Sequence, residues 1–320
     1  MGIVSLVPLL IYNNQMKAIK KDMDGLFWSV KGIGPSYKGS INKMIYFHYY
    51  ICAVKFTLHI CIILGLIPYS GINYNTTLVY SIYKMQYYNI PLVWKTAFNV
   101  FSLLVIFIMI YPIVNIGLVA LYFTTRIYIQ TLLLCDFIEN IGKKEEYEMK
   151  FCLLDDENYQ RDVYTRLNFA IDHMLKIKMI ARRVAALFSI TLGIHLVFGI
   201  IIMSNLMIAI VYFKGLNHWP VFSASMLLSF LISLTYAYTG ELFKKILDNV
   251  TDAVCKSPWE FYSPKGRKCQ LMFLTITLRN DLRIKYFEIF PLDYNLFISV
   301  GRLLFNIATA MVSLNNIEFN

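Results

Sequence analysis

Five long apolar stretches constrain the fold of this chain more than any other feature. Each holds the roughly 20 mostly apolar residues that a helix needs to cross a bilayer. Hydrophobic residues make up 58% of the 320 and charged residues only 16%, which is too apolar for an ordinary soluble domain. The sequence therefore predicts an all-α, polytopic membrane helical bundle with five complete spans. The stretches are Ile45–Tyr69, Ala97–Tyr122, Ala185–Phe213, Pro220–Phe243 and Leu292–Leu314.

A sixth apolar run, Gly2–Tyr12, is too short to cross a membrane by itself. It lacks the preceding basic residues and the small-residue cleavage site that a signal peptide requires. We interpret it as the end of a further span whose start is absent from the sequence.

Lysine and arginine residues occur in alternate connecting segments, and this asymmetry predicts the orientation of the spans. Rich segments follow the short apolar run, the second long stretch and the fourth long stretch, whereas the alternate segments hold at most one lysine each. Because cytosolic loops carry the excess of basic residues, the rich segments are predicted to be cytosolic and the C-terminus extracellular. A net charge of +10 distributed in this way does not form the single basic face that binds nucleic acid.

Modification and metal motifs are sparse. Asn75 begins a glycosylation sequon in a predicted outside loop and is the expected modified site, whereas the sequon at Asn249 is on the predicted cytosolic side. The six cysteines follow no zinc or disulfide spacing. No phosphate loop, zinc-protease motif or nucleophile elbow is present, so the chain is not predicted to be an enzyme and no cofactor or metal is expected.

These features divide the chain into five segments. Segment 1–125 contains the partial span and two spans, and segment 126–184 contains cytosolic helical extensions of the flanking spans around an acidic loop at 143–162. Segment 185–243 contains two spans, and segment 244–291 is a cytosolic anchor segment. Segment 292–320 contains the last helix and a short outside tail.

The C-terminal third resembles an insect odorant receptor. The matching features occur in the order found in that family: Gly-Glu at 240–241, Ser-Pro-Trp at 257–259, a basic cluster, Phe-Pro-Leu at 290–292, and a final helix with a basic residue after Ser-Val-Gly. Upstream, the helix around His173 resembles the family's cytosolic helix, although Asp172 stands where the family usually has a second histidine.

The resemblance implies seven spans, with the five long stretches as spans three to seven and Gly2–Tyr12 as the end of span two. It implies a ligand-gated, non-selective cation channel of the plasma membrane, in which a tuning subunit forms a heterotetramer with the common co-receptor, Orco. Small apolar odorants and membrane lipids would be the other partners. The cytosolic ends of spans four to seven would pack into an anchor, and the last helix would line the pore.

The resemblance also implies an outer gate near the end of the last helix, where an apolar residue precedes an amide. Spacings of three, four and seven residues place the other pore candidates on one helix face. The predicted pore and gate residues are Phe305, Ala308, Thr309, Val312 and Asn315. The alternative is that this stripe packs against neighbouring helices. We interpret Arg302 as bonding to carbonyl groups of the anchor.

The predicted odorant pocket lies on the outer halves of three spans. Odorants are small and apolar, so the pocket is expected to be aromatic with few polar groups. The candidates are Ile62 and Leu66, then Phe98, Phe101 and Ser102, and finally Phe222, Met226 and Phe230. Helix packing or lipid contact is the alternative for each of them. His59 and His195, within the spans, are interpreted as hydrogen-bonded packing residues.

The basic cluster near position 266 is assigned to the cytosolic anchor. It consists of Lys265, Arg267 and Lys268, and Trp259 precedes it. These cations could bind anionic lipid headgroups, or they could mark only the cytosolic side. The apolar run after them is too short to span and is predicted to be an anchor helix.

Three other functions stay open from the sequence. A gustatory-type receptor is related, but the Ser-Pro-Trp and Gly-Glu features favour the odorant branch. A secondary transporter would often show repeated halves, and no repeat is found. The absent first span leaves a non-functional truncated receptor as the third alternative.

Overall fold

The computed structural model describes the backbone at residues 2–29, 35–66, 92–142, 154–212, 219–278, 282, 284–286 and 290–318. Within these ranges, side chains are described except at 2–12, 35–36, 59, 61–66, 92–114, 206–212, 219–222, 286, 290, 311–312 and 314–318.

Seven α-helices account for nearly all of the described chain, which confirms the prediction of an all-α membrane bundle. They are α1 Gly2–Leu26, α2 Pro35–Leu66, α3 Leu92–Glu139, α4 Glu157–Tyr212, α5 Trp219–Lys256, α6 Pro264–Leu278 and α7 Tyr294–Glu318. A 3-10 helix, Trp259–Phe261, lies between α5 and α6. The sequence did not predict the two short strands before α7, β1 Lys285–Tyr286 and β2 Phe290–Pro291, which pair antiparallel.

Helices α3 and α4 are far longer than a membrane is thick. They contain 48 and 56 residues, or about 72 Å and about 84 Å at a rise of 1.5 Å per residue. The hydrocarbon core of a bilayer is only about 30 Å thick. The helical continuation predicted for residues after Tyr122 and before Ala185 is therefore present as unbroken helix.

The predicted acidic loop is shorter than expected, because α4 begins inside it. Asp156 caps the helix: its Oδ1 accepts hydrogen bonds from the backbone N–H groups of Asn158 at 3.0 Å and Tyr159 at 3.2 Å. An aspartate in this position satisfies donors that the first helical turn leaves unpaired. At the other end of the loop, Gly142 follows α3 with a φ of 79°, a conformation that favours glycine.

Helix α1 also continues further than the apolar run at its start. Ile19 and Met23 are buried, whereas Lys17, Lys20 and Lys21 are exposed. This pattern has helical periodicity, so the basic segment continues the helix as an amphipathic turn that packs on α3 and α4.

The densest packing lies where α1, α3, α4, α5 and α6 meet. We call this cluster the helical junction. Its centre contains side chains with 0% exposure from all five helices and from the link before α6: Met23, Ile138, Met174, Phe243, Tyr262 and Phe273. Burial of this apolar surface is what holds the long helices together at this end of the molecule.

Other parts of the helices expose apolar side chains. Tyr46 is 74% exposed and Phe56 66% exposed on α2, and Phe305 is 69% exposed on α7. Among the residues with described side chains, three helical segments are long and apolar enough to cross a membrane: Asn115–Glu139, Glu157–Asn205 and Ser223–Lys256. Exposed apolar side chains on predicted spans are typical of a surface that contacts lipid, because lipid tails are as apolar as leucine.

Candidate functional site

Helix α7, the predicted pore helix, has one packed side and one open side. Leu304 is only 4% exposed and Ile307 is half-buried, in agreement with packing of α7 against α4 and α5. Phe305 and Thr309 lie on the open side, and the Thr309 hydroxyl donates to the carbonyl of Phe305 at 2.9 Å. Ala308 is half-buried at the border. The predicted stripe therefore includes two exposed positions and one border position.

Arg302 lies on the open side as well, three residues before Phe305. Within the described part of the chain, its guanidinium has no hydrogen-bond or ion-pair partner. Residues three and seven apart share a helix face, so Arg302 follows Phe305 and Thr309 away from α4 and α5. Residues 279–281, 283 and 287–289 of the predicted anchor segment lie outside the described residues, so bonding of Arg302 to anchor carbonyls stays a prediction.

The start of α7 is held tightly against α5. A Cβ atom added at Gly240 would clash with the backbone carbonyl of Leu292. The Leu292 N–H donates to the carbonyl of Ile284 at 2.9 Å, and Asp293 Oδ1 caps α7 by accepting from the N–H of Leu296 at 3.0 Å. The Gly-Glu and Phe-Pro-Leu features of the sequence thus meet at one contact between backbones.

Two of the predicted pocket residues on α5 have described side chains. Met226 is half-buried, and Phe230 is 42% exposed. The Phe230 ring makes an edge contact with the ring of Phe297 on α7, with centroids 5.2 Å apart. Phe230 therefore connects the predicted pocket face of α5 to the predicted pore helix.

A buried polar pair lies in the middle of the bundle. His195 Nδ1 on α4 and the Tyr236 hydroxyl on α5 are 3.1 Å apart, and Gly117 on α3 leaves room for the Tyr236 ring. This contact fits the interpretation of His195 as a hydrogen-bonded packing residue. Among the described residues, no group of histidine, cysteine and acidic side chains could hold a metal ion.

The basic cluster belongs to a packed segment. Lys265 Nζ lies 4.3 Å from the centroid of the Tyr164 ring, and Arg267 donates to the carbonyl of Glu260 at 2.8 Å. Lys268 is exposed, and Trp259 is 45% exposed. Two of the three cations therefore already have partners within the chain.

Hydrogen bonds hold the link between Trp259 and the basic cluster against the start of α4. The Gln160 amide donates to the carbonyl of Phe261 at 2.8 Å and accepts from the N–H of Ser263 at 2.6 Å. The Tyr262 hydroxyl donates to the carbonyl of Ile141, and burial raises the pKa of Tyr262 to about 12. Helix α6 then begins at Pro264 and supplies the short helix predicted after the cluster.

Trp28 forms an aromatic contact that the sequence did not reveal. Its ring stacks on the His173 ring at 3.9 Å and on the Phe169 ring at 5.7 Å. Its backbone N–H and carbonyl both pair with the Gln130 amide, at 2.8 and 2.9 Å. His173 is the histidine beside Asp172, the position where the family usually has a second histidine. Its contact with Trp28 helps to hold the end of α1 at the helical junction.

Several predicted residues lie outside the residues with described side chains. They are Ile62, Leu66, Phe98, Phe101, Ser102 and Phe222 of the pocket, Val312 and Asn315 of the gate, His59, and the sequon residue Asn75. The second sequon residue, Asn249, donates to the Tyr128 hydroxyl at 2.9 Å.

Sequence reasoning missed one buried cation on the packed face of α2. Lys55 has 0% exposure, and its Nζ has no hydrogen-bond partner among the described residues. The signal was present in the sequence, because Lys55 and the pocket candidate Ile62 are seven residues apart and therefore share a helix face.

Long apolar helices that meet in one packed junction, with an open-sided last helix, define the chain as a helical membrane protein. The family model described as 7tm odorant receptor matches residues 3–305, so the chain belongs to the odorant receptor family.

Two solved structures share the fold. Both are of the insect olfactory receptor OR5 from Machilis hrabei, one of them in complex with eugenol. Each has a TM-score of 0.65 and 12% sequence identity, covering 98% of this chain and 78% of the other. None of the curated proteins compared with this sequence matches it.

Proposed function

We propose that this chain is a tuning subunit of an odorant-gated, non-selective cation channel. In this proposal it assembles with the odorant co-receptor into a heterotetramer in the plasma membrane, with its C-terminus outside. It binds small, volatile, apolar ligands and has no enzymatic role. Membership of the odorant receptor family supports the receptor function.

The open side of α7 is the observation that carries the channel part of the proposal. Phe305 is 69% exposed although it lies in a helix whose other side is buried on α4 and α5. A helix that lines a pore contacts its own subunit on one side and other subunits or water on the other. Apolar and weakly polar side chains on the open side suit a pore that closes by excluding water.

The contact between Phe230 and Phe297 supports a route from ligand to pore. Phe230 is a pocket candidate on α5, and Phe297 belongs to α7. A ligand that displaces the Phe230 ring would change the packing of α7 directly. The bound eugenol in the similar Machilis hrabei receptor structure supports a small organic ligand for this fold.

The test is expression of the chain with the co-receptor, with measurement of odorant-evoked current. A panel of small volatile compounds, eugenol included, is expected to evoke currents that cells with the co-receptor alone do not give. Val312→Ser is expected to raise the resting current or change ion selectivity, because it makes an apolar ring wettable. Ile307→Val, on the packed side of α7, serves as the matched control and is expected to leave permeation unchanged.

Two results would count against the proposal. If the chain reaches the cell surface with the co-receptor and adds no response to any compound of the panel, the receptor function is contradicted. If a Val312→Ser subunit at the surface has unchanged resting current, odorant response and selectivity, only the pore assignment of α7 is contradicted.

A further inference from the structure

Lys55 is a buried amine without a partner. Its side chain has 0% exposure, and Nζ makes no hydrogen bond to any residue that the structure describes. None of the ion pairs among the described residues involves it. Removing an ammonium group from water without a counter-ion is strongly unfavourable, so a lysine in this position requires a physical explanation.

The burial of Lys55 follows from its place on the packed face of α2. Ile41 and Ile51 are buried on this face, which lies against α3 and α5. Tyr49 and Phe56, on the other faces, are 70% and 66% exposed. Lys55 is buried on the same face, where the other buried residues of α2 are apolar.

The depth of Lys55 in the predicted span excludes an easy route to water. It lies ten residues after Ile45, or about 15 Å along the helix at 1.5 Å per residue. This is near the middle of a hydrocarbon core of about 30 Å. Lysines near helix ends extend to the headgroup region, but one in the middle of a span usually faces a functional cavity.

The position of Lys55 connects it with the predicted odorant pocket. Ile62 is seven residues further along α2, and this spacing places both positions on one helix face. The other pocket candidates belong to α3 and α5, the two helices on which α2 packs. Lys55 therefore marks the inner end of that predicted pocket, and this inference rests on the proposed function.

We propose that, among small volatile ligands that are otherwise apolar, this receptor prefers a carboxylic acid, with its apolar tail in the predicted aromatic pocket and its carboxylate against Lys55 Nζ. In the bound state the ligand is a carboxylate and Lys55 is an ammonium. The pair carries no net charge, so the acid supplies the counter-charge that Lys55 does not find among the described residues. Charge-assisted hydrogen bonds of this kind are roughly twice as strong as neutral ones.

Esters, alcohols and alkanes of the same size cannot supply a negative charge to pair with Lys55. An ester or an alcohol can accept a hydrogen bond from Nζ, but neither provides a charge, and an alkane leaves the amine unpaired. The predicted order of potency is therefore acid, then ester and alcohol, then alkane, at equal chain length. An odorant pocket made of apolar and aromatic groups alone would not favour the acid.

The experiment measures current from the chain expressed with the co-receptor. The probes are hexanoic acid, its isomer methyl pentanoate, hexan-1-ol and hexane. In the wild type, the half-maximal concentration of hexanoic acid is expected to be at least about tenfold lower than that of methyl pentanoate. Lys55→Met is expected to abolish this preference while responses to the ester and the alcohol persist.

Lys43→Met is the matched control, because Lys43 is an exposed lysine on the same helix. It is expected to keep the preference for the acid. Lys55→Gln, which keeps a polar group without charge, is expected to respond to the ester but to lose the preference for the acid. Surface labelling of each variant shows that a lost response is not lost expression.

Three results decide the matter. Equal potency of acid and ester in the wild type, or an unchanged acid preference in Lys55→Met, overturns the inference and leaves the receptor function standing. No current from any probe, or from the wider odorant panel, overturns the proposed function as well. If neither Lys55 variant reaches the surface, the comparison of acid with ester in the wild type decides alone.

Discussion

The helical junction and the open side of α7 differ in where their apolar side chains find partners. Phe243 and Phe273, at the centre of the junction, are 0% exposed and packed entirely by the chain itself. On α7, Phe305 is 69%, Ile298 50% and Leu303 49% exposed. The junction is therefore complete within one chain, whereas α7 requires lipid or other subunits to cover it.

Most polar groups follow the same division, although Nε2 of the buried His173 in the junction has no hydrogen-bond partner among the described residues. In the junction, the Gln270 amide donates to the carbonyl of Val254 at 2.9 Å, and Lys178 Nζ donates to the carbonyl of Ile276 at 3.1 Å. On the open side of α7, the guanidinium of Arg302 has no such partner among the described residues. Apolar burial is thus concentrated in the junction, whereas the open side of α7 is the surface for which we propose a role in conduction.

The largest expected effect concerns the contact that joins the two regions. In Gly240→Ala, the new Cβ meets the carbonyl of Leu292, and a backbone carbonyl cannot move aside as a flexible side chain can. We expect the free energy of unfolding to fall by about 3 kcal/mol, at the upper end of the usual cost of overpacking. Thermal unfolding of the purified chain in detergent measures the change.

Gly301→Ala is the matched control for this substitution. Nothing lies within 4 Å of a Cβ built at Gly301, which is exposed on α7. Alanine in an exposed helix position is expected to stabilise by up to about 1 kcal/mol relative to glycine. Equal melting temperatures of the two variants would contradict the close approach of α5 and α7.

Trp28→Ala gives the next largest expected effect. The substitution removes the stacking on His173 and Phe169 and opens a cavity at the end of α1. We expect a loss of about 2 to 3 kcal/mol, below the usual cost for a fully buried tryptophan because Trp28 is only half-buried. Chemical denaturation measures the loss in unfolding free energy.

Trp259→Ala provides the comparison with Trp28→Ala. Trp259 is 45% exposed, so its removal is expected to cost less than about 1 kcal/mol. If Trp259→Ala destabilised the chain as much as Trp28→Ala, the aromatic contact at α1 would not be a distinctive part of the junction.

The sequence predicted local features well and contacts between distant segments poorly. Lengths of apolar runs predicted the helical bundle, because a helix in a bilayer must satisfy its own backbone groups. The extent of α4 was misjudged because the capping role of Asp156 was overlooked, although aspartate before a glutamate is a usual helix start.

Contacts between residues far apart in the sequence could be recognised only from the structure. Gly240 and Leu292 were both recognised as parts of motifs, but nothing in either motif shows that they touch. Trp28 and Gln130 are 102 residues apart in sequence, and Lys55 differs from exposed lysines of the chain only through its position on the packed face of α2. Such placement depends on how whole helices pack, which periodicity within one helix does not determine.

The smallest expected effect concerns the ion pairs at the surface of the junction. Arg183 and Asp22 are paired at 2.9 Å, but their side chains are 53% and 41% exposed. Water screens such a pair, so Arg183→Gln is expected to change the unfolding free energy by about 0.5 kcal/mol or less. A loss as large as that of Trp28→Ala would show that charge, and not apolar burial, holds α1 to α4.

The central claim is that the open side of α7 faces the conduction pathway. The most direct measurement is block of odorant-evoked current by a charged, water-soluble thiol reagent after cysteine substitution. Thr309→Cys, on the open side, is expected to be modified and to lose most of its current, whereas Leu304→Cys, on the buried side, is expected to be unaffected. Thr309→Cys subunits that reach the surface, respond to odorant and resist the reagent would contradict the claim.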